Sequence, residues 1–337
     1  KNIIVKRCGT VNIINIGRNI NTGKIMEQIK RRNNKSSWKS KSFLGEVVFF
    51  VAIAGIPLLQ FCFFYIGVNA NSILMSFQSF DALKGEYTFI GLENFKRFFA
   101  EWKTTGVFTY AIKNSFIAWL LTFGVGTSLG LVFAYYIARK KIGHNVFKVI
   151  LFLPNVVSGI VLVVIFKAFT DSFIPAILQA IDGELHLGLL QNPATTFGTI
   201  IFYNIWIGFG VNVIMYSGAI SNIDEASFEA ARLDGASELQ IFFRIVLPLI
   251  YPNIIVFFTA GIAGIFTNQL NLYSFYGQDA QLEYYTFGYY LYRNTQIDAT
   301  GSNYGYLAAI GVMLTLVVAP ITFAVRSLLI KFGPSSD

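Results

Sequence analysis

Six long apolar stretches alternate with polar segments along this chain. Each stretch is long enough to cross the hydrocarbon core of a bilayer as an α-helix, which takes about 20 apolar residues. We place the spans at residues 43–68, 115–138, 146–169, 196–220, 248–269 and 306–330. The pattern predicts an all-α polytopic membrane protein, with a six-span domain over residues 43–331, a tail at 1–42 and a short tail at 332–337.

The longest polar interruption in the second half of the chain, the 221–247 loop, carries helix signals of its own. Ser221 or Asn222 is predicted to cap a short helix. Gly235 should end it, because glycine takes the left-handed conformation at little cost. Ser237 and Gln240 have the spacing of a capping box that opens a second helix. The apolar side chains of that second, amphipathic helix predict contact with an apolar surface: Leu239, Phe242, Phe243 and Val246.

Composition agrees with a membrane class, since 54% of the residues are hydrophobic and only 13% are charged, against roughly a quarter in soluble domains. The predicted topology puts nineteen Lys and Arg residues in inner segments and seven in outer ones. This asymmetry predicts that both termini are cytoplasmic. The net charge of +8 then lies against the anionic inner leaflet, and nucleic acid is not needed to explain it.

Several kinds of chemistry lack candidates in the sequence. The two cysteines, Cys8 and Cys62, are far apart, and His144 and His186 fall on opposite sides of the predicted membrane, so neither a disulfide nor a metal site is predicted. There is no Walker A sequence, no hydrolase triad and no paired acid within a span. We therefore predict no catalytic, cofactor or metal site, and energy must come from a partner.

Two stretches carry a family resemblance. The loop reads Glu229-Ala230-Ala231, then Gly235, then Ile245 to Pro248, which resembles the "EAA" loop of permease subunits in binding-protein-dependent ABC importers. The string from Phe89 to Phe95 is similar to a signature of the sugar-type permeases, such as those for maltose and multiple sugars. The alternative for the loop is an interfacial turn with no partner.

The resemblance implies an assembly. It implies a second homologous permease subunit (we favour a heterodimer), two ATPase subunits that bind ATP with Mg²⁺, and an extracellular solute-binding protein, in the bacterial cytoplasmic membrane. The loop would dock on an ATPase, with Glu229 opposite a basic residue or helix N-terminus and Phe242 and Phe243 holding the loop to the bundle. The residues implied in coupling are Glu229, Ala230, Ala231, Asp234, Gly235, Ser237, Leu247 and Pro248.

Polar residues in the fourth and fifth spans predict a solute path. Asn204, Gly208, Asn212 and Tyr216 recur every four residues and share one helix face. Amides can hydrogen-bond sugar hydroxyls, and aromatic rings can cover the apolar faces of a pyranose. The alternative is that the amides bridge neighbouring helices. The predicted path residues are Asn204, Trp206, Asn212, Tyr216, Asn268, Asn271 and Tyr273.

The function predicted is a non-catalytic permease subunit that forms half of the pathway for an oligosaccharide or glycan fragment. The alternatives are an ABC import permease for another solute, a self-sufficient carrier driven by an ion gradient, and a membrane enzyme of lipid or glycan metabolism. The sequence leaves open the sugar, its linkage and the identity of the ATPase. It also leaves open whether residues 1–25 belong to the native protein, since Met26 offers an alternative start.

Overall fold

The structure is a computed structural model that describes residues 45–81, 84–298 and 300–334. Within these ranges six helices are long and apolar enough to cross a membrane, which confirms the all-α polytopic prediction. They are α1 (Gly45–Met75), α3 (Val107–Ala138), α5 (Gly159–Asp182), α6 (Pro193–Ser221), α8 (Glu238–Ala263) and α11 (Tyr304–Phe332). The shorter helices are α2 (Glu93–Thr105), α4 (His144–Phe152), α7 (Glu225–Leu233), α9 (Leu272–Tyr276) and α10 (Phe287–Ile297). The 1–42 tail lies outside the described residues.

The chain divides into two compact units, residues 1–71 and 72–337. In the first unit the described residues are helical, and a π-helical turn interrupts α1 at Phe61–Gly67. The second unit opens with a small antiparallel hairpin, β1 (Gln78–Asp81) and β2 (Glu86–Phe89). Asn94 at the start of α2 holds this hairpin, because its buried Nδ2 donates to the carbonyl oxygens of Ser76 and Gln78 at 3.0 and 2.9 Å.

The third span differs from its predicted limits of 146–169. The helix that begins there, α4, ends in a 3-10 turn at Leu153–Asn155 that contains Pro154. Proline lacks the N–H that a continuing helix needs, and the chain is extended at Ser158 before α5 begins. A π-helical turn then carries α5 past Asp171 to Gly183, whose φ of 78° ends it.

The fifth span also differs, since its helix starts at Glu238 rather than at Pro248 and ends at Ala263 rather than near Gln269. A π-helical turn at Phe242–Val246 joins the second loop helix to the span without a break, and Pro248 lies in the first turn after it. A proline is tolerated there because its missing N–H is needed least at the start of a helical segment. The 264–271 segment that follows is irregular.

The second and fourth spans, α3 and α6, form the most extensive helix pair of the bundle. Gly126 and Gly130 of α3 face α6, and a Cβ at Gly130 would lie 3.3 Å from the Cβ of Asn212. Small residues at this spacing let two helix backbones approach closely. This close approach fixes the two spans that carry most of the candidate site.

Candidate functional site

The 221–247 loop contains two helices with a sharp elbow between them, as predicted, although the second continues into the fifth span as α8. Gly235 has a φ of 78°. The Ser237 backbone donates to Gln240 Oε1 at 2.8 Å, and the Gln240 backbone donates to Ser237 Oγ, which completes the capping box. The predicted cap of the first helix is wrong, because Ser221 is the last residue of α6 and Asn222 follows it. Asp224 is the cap, and its carboxylate accepts from the backbone of Ala226.

The loop buries one side against the bundle and exposes the other. Phe228 and Ala231 are buried with Phe242 and Val246 in one apolar cluster. Leu239 and Phe243 are 70% and 61% exposed, so the predicted anchoring of the loop to the bundle through Phe243 is wrong. They point away from the bundle because the buried face of α8 passes through Ile241, Phe242 and Val246 instead.

The predicted coupling residues separate into an exposed set and a packed set. The exposed positions are Glu229, Ala230, Asp234, Gly235 and Ser237. Ala231 is buried, and Leu247 and Pro248 are partly buried at the start of the fifth span. Leu233 lies among the exposed positions with 89% of its side chain open, and the sequence prediction missed it. Leu233 lies between Glu229 and Asp234 and adds apolar area to this exposed face.

Charged residues at the end of α3 hold the loop, and the sequence prediction missed them. Arg139 Nη1 donates to both carboxylate oxygens of Glu225, at 3.1 and 3.0 Å, and its guanidinium lies 4.1 Å from the centre of the Phe228 ring. Glu238 accepts from Tyr135 and from Lys141. In the sequence, the basic cluster Arg139–Lys141 indicates only which side of the membrane this segment lies on. The acidic residues of the loop, Glu225 and Glu238, could have indicated the ion pairs.

A cavity of about 280 Å³ lies between α3, α6, α8 and the irregular 264–271 segment. It contains three of the predicted amides, Asn204, Asn212 and Asn268, together with Tyr216. The second span contributes aromatic and small residues that the sequence prediction missed, among them Trp119, Phe123 and Thr127. No residue that lines this cavity is charged.

The three amides differ in what they bond. Asn204 is a bridge between elements, since its Nδ2 donates to the Ile200 and Leu270 carbonyls and its Oδ1 accepts from Asn271. Asn268 Oδ1 accepts from the Leu270 backbone. The side chain of Asn212 makes no hydrogen bond to any residue that the structure describes; it lines the cavity and packs next to Gly126 and Gly130 of α3. Asn212 is therefore the amide most available to a solute.

The 264–271 segment has a strained backbone at the cavity wall. Leu270 and Asn271 both have positive φ, 52° and 56°, a conformation that costs a bulky residue of order 1–3 kcal/mol. Leu270 is fully buried, and the Asn204 bond to its carbonyl holds this conformation. Non-helical backbone at membrane depth is tolerated where it is buried in protein or lines a water-filled cavity, so the segment fits a transport path.

The remaining predicted path residues lie outside the cavity. Trp206 packs against Phe166 and Tyr203. Asn271 donates a hydrogen bond from its Nδ2 to Oδ1 of Asn204, which lines the cavity. The Tyr273 ring packs edge-on against Tyr292, with 4.9 Å between the ring centres. In the adjoining tyrosine-rich segment, burial and then the charge of Asp171 raise the pKa of Tyr276 to about 12, so its hydroxyl stays a neutral donor to the Leu190 carbonyl.

Residues 126–331 match the family of the binding-protein-dependent transport system inner membrane component. The chain belongs to this family. The match includes the loop, the fourth to sixth spans and the glycine pair of α3, and it confirms the family predicted from the loop motif. The protein is thus a multi-pass membrane protein and the non-catalytic membrane component of such a system.

Individual relatives are similar over most of the chain. The chain is 32% identical over 209 residues to a probable ABC transporter permease, YesP of Bacillus subtilis, a match that spans 62% of that protein. It is 26% identical to AraP of Halalkalibacterium halodurans, an arabinooligosaccharide permease, over 90% of this chain and 95% of that one. A crystal structure of a bacterial ABC transporter for alginate import superposes with a TM-score of 0.63 at 22% identity, over 92% of this chain and 99% of that one. That likeness shows the fold.

Proposed function

We propose that this chain forms half of the translocation pathway for a neutral oligosaccharide. The observation that carries the proposal is a cavity whose described lining residues are uncharged and include the amides Asn212 and Asn268 and the rings of Trp119 and Phe123. Amides and aromatic rings are the groups that recognise sugar hydroxyls and ring faces. The relatives named for arabinooligosaccharides, multiple sugars and maltodextrin support the same class.

The cavity favours neutral over acidic glycans. A carboxylate that leaves water for a site with no positive charge loses several kcal/mol of hydration, and among the described residues no cation lines this chain's half of the path. The likeness to the alginate importer concerns the fold and carries no substrate, so it does not weigh against this choice.

Energy would enter at the 221–247 loop. Its exposed face, with Glu229, Leu233 and Asp234, offers both charge and apolar area to a partner. We infer that this face docks on one of two ATPase subunits, which bind ATP with Mg²⁺. A second homologous permease, in a heterodimer, would supply the other half of the path, and a solute-binding protein would deliver the glycan from outside. This arrangement places both termini and the loop on the cytoplasmic side of the bacterial cytoplasmic membrane.

Uptake by the complete importer in proteoliposomes tests the proposal. Labelled neutral and uronic oligosaccharides of equal length are compared with saturating binding protein, and we expect uptake of the neutral series only. Asn212→Leu should lower that uptake roughly tenfold, about the effect of one or two lost hydrogen bonds. Asn253→Leu, at an exposed position of α8 outside the cavity, is the control. Preferential uptake of the uronic series, or equal effects of the two variants, would contradict the proposal.

A further inference from the structure

Both helices of the 221–247 loop are tied to the end of the same span. Glu225, before the Gly235 elbow, accepts two hydrogen bonds from Arg139 at the end of α3. Glu238, after the elbow, accepts hydrogen bonds from Tyr135 and Lys141 of the same region. Since the two carboxylates lie on either side of the elbow, their shared attachment to α3 fixes its angle.

The attachment through Arg139 is nearly buried. Its side chain is 7% exposed, although that of Glu225 is 61% exposed. The guanidinium is stacked on Phe228, which is itself buried. Among the described residues, Glu225 is the one carboxylate that pairs with Arg139. The buried Nε of Arg139 has no hydrogen-bond partner among them. Separating Arg139 from Glu225 would leave a largely buried cation without its carboxylate, which is costly, so the pair favours joint movement of α7 and the end of α3.

The attachment through Glu238 adds packing to charge. The Tyr135 ring meets the edge of Phe242 at 5.3 Å while its hydroxyl bonds Glu238. Lys141 donates to the other carboxylate oxygen at 3.1 Å, and Arg232 of the first loop helix approaches the same oxygen at 3.5 Å. Glu238 therefore joins α3, α7 and α8 at one point.

The span that holds the loop also walls the cavity. Trp119, Phe123 and Thr127 line the cavity from α3, and the helix continues without interruption to Arg139. A continuous helix moves as a stiff rod, whereas α8 has a π-helical turn between the loop and the cavity. Between α3 and α8, α3 is therefore the stiffer connection from the loop to the solute path.

We propose that Arg139 and Glu238 are positioning residues that make the second span the transmission element between the loop and the cavity. The inference rests on the proposed function, in which the loop docks on an ATPase. Motion of the docked loop pulls on α3 through the Arg139–Glu225 pair and displaces the cavity wall that carries Trp119. Without the pair, the ATPase still docks and turns over, and the cavity does not follow.

The test measures ATP hydrolysed per oligosaccharide imported by the complete importer. Arg139→Gln and Glu225→Gln should each raise this ratio at least about fivefold, within the usual range of coupling between sites. The exchanged pair Arg139→Glu with Glu225→Arg should bring the ratio back toward that of the unmodified protein. Such a recovery would show that the single variants act through the lost ion pair and not through misfolding. Lys140→Gln is the matched control, because Lys140 is exposed and has no carboxylate partner among the described residues.

A docking readout separates the two proposals. In a variant with Cys8 and Cys62 replaced by serine, Asp234→Cys on the exposed loop face is cross-linked to the ATPase. If Asp234→Cys gives no cross-link to the ATPase while Arg139 is unchanged, the proposed function itself is overturned. A retained cross-link with a normal ratio in Arg139→Gln overturns only the transmission role. If Arg139→Gln does not assemble, Glu225→Gln decides, since its side chain is largely exposed and a normal ratio there overturns the inference equally.

Discussion

Substitution of Gly235 at the elbow has a conformational free-energy cost that follows from its backbone geometry. With a φ of 78° and no atom within 4 Å of a Cβ built there, Gly235→Val meets no steric contact. The cost is conformational, about 1–2 kcal/mol for an L-residue in the left-handed region. The chain can relieve it only by changing φ, which breaks the bonds from the Gly235 and Ala236 N–H groups to the carbonyls of Arg232 and Ala231, at 3.0 and 2.9 Å.

A second glycine provides a matched control. Gly183, beyond the end of α5, also has a φ of 78° and no atom within 4 Å of a built Cβ. Its N–H likewise bonds the preceding helix, at the Gln179 carbonyl. Gly183→Val should therefore cost a similar ~1–2 kcal/mol of stability while leaving the loop unchanged. The pair of variants separates the loss of stability from the loss of coupling.

The assay is thermal unfolding of the complex together with ATP-driven uptake in proteoliposomes. We expect both valine variants to assemble with similar small losses of stability. Only Gly235→Val should uncouple ATP hydrolysis from uptake, because only there does the change in φ turn the helix that meets the ATPase. Normal coupling in Gly235→Val, or the same loss of uptake in Gly183→Val, would show that the Gly235 elbow is not required for coupling.

Three further predictions follow from packing and hydrogen bonding. Gly130→Leu should lower the unfolding free energy by about 1–3 kcal/mol through overpacking against Asn212; Gly124→Leu, where a Cβ meets nothing within 4 Å, should not, and equal melting temperatures would contradict this. Asn94→Leu should cost about 1–3 kcal/mol from two lost bonds, seen as faster hydrogen exchange in the 78–89 hairpin and not elsewhere. For Asp298, burial raises the pKa, but bonds from Asn303, Thr300 and Ser302 outweigh it and hold the pKa below its ordinary value. Its stabilisation is thus present above about pH 4 and lost as pH falls further; the protection of the 300–304 amides, measured relative to the intrinsic exchange rate at each pH, should fall on acidification in the unmodified protein and not in Asp298→Asn.

The number of spans and the architecture of the loop could be predicted because each depends on local pattern. Apolar length specifies a span whatever its neighbours are. The Gly235 elbow and the Ser237–Gln240 capping box need only residues close in sequence. The cap at Asp224 was missed because α6 continues to Ser221, and three candidate cap residues then compete within one turn.

Other features depend on contacts that no local pattern contains. The break at Pro154 is placed by proline geometry, yet hydropathy continues across it and concealed the true start of the third span. The fifth span ends early at Ala263, and the irregular segment that follows is bonded at the Leu270 carbonyl by Asn204 of another helix. The outward positions of Leu239 and Phe243 result from which face of α8 meets the bundle.

The candidate site was predictable in residue type more than in role. Polar periodicity in the fourth span identified Asn204 and Asn212. Only the structure shows that the Asn204 side chain bonds other elements, whereas the Asn212 side chain makes no hydrogen bond to a described residue. Trp119 was missed because a tryptophan in an apolar span has no distinguishing spacing. The Arg139–Glu225 pair joins residues far apart in sequence, so neither could identify the other.

We propose that this chain has no energy source of its own and receives motion through its loop. Both permease subunits can be reconstituted in liposomes with external binding protein and an imposed ion gradient, with and without the ATPase subunits and internal ATP. We expect oligosaccharide uptake only when the ATPase and ATP are both present. Uptake driven by the gradient in liposomes that lack the ATPase would contradict it.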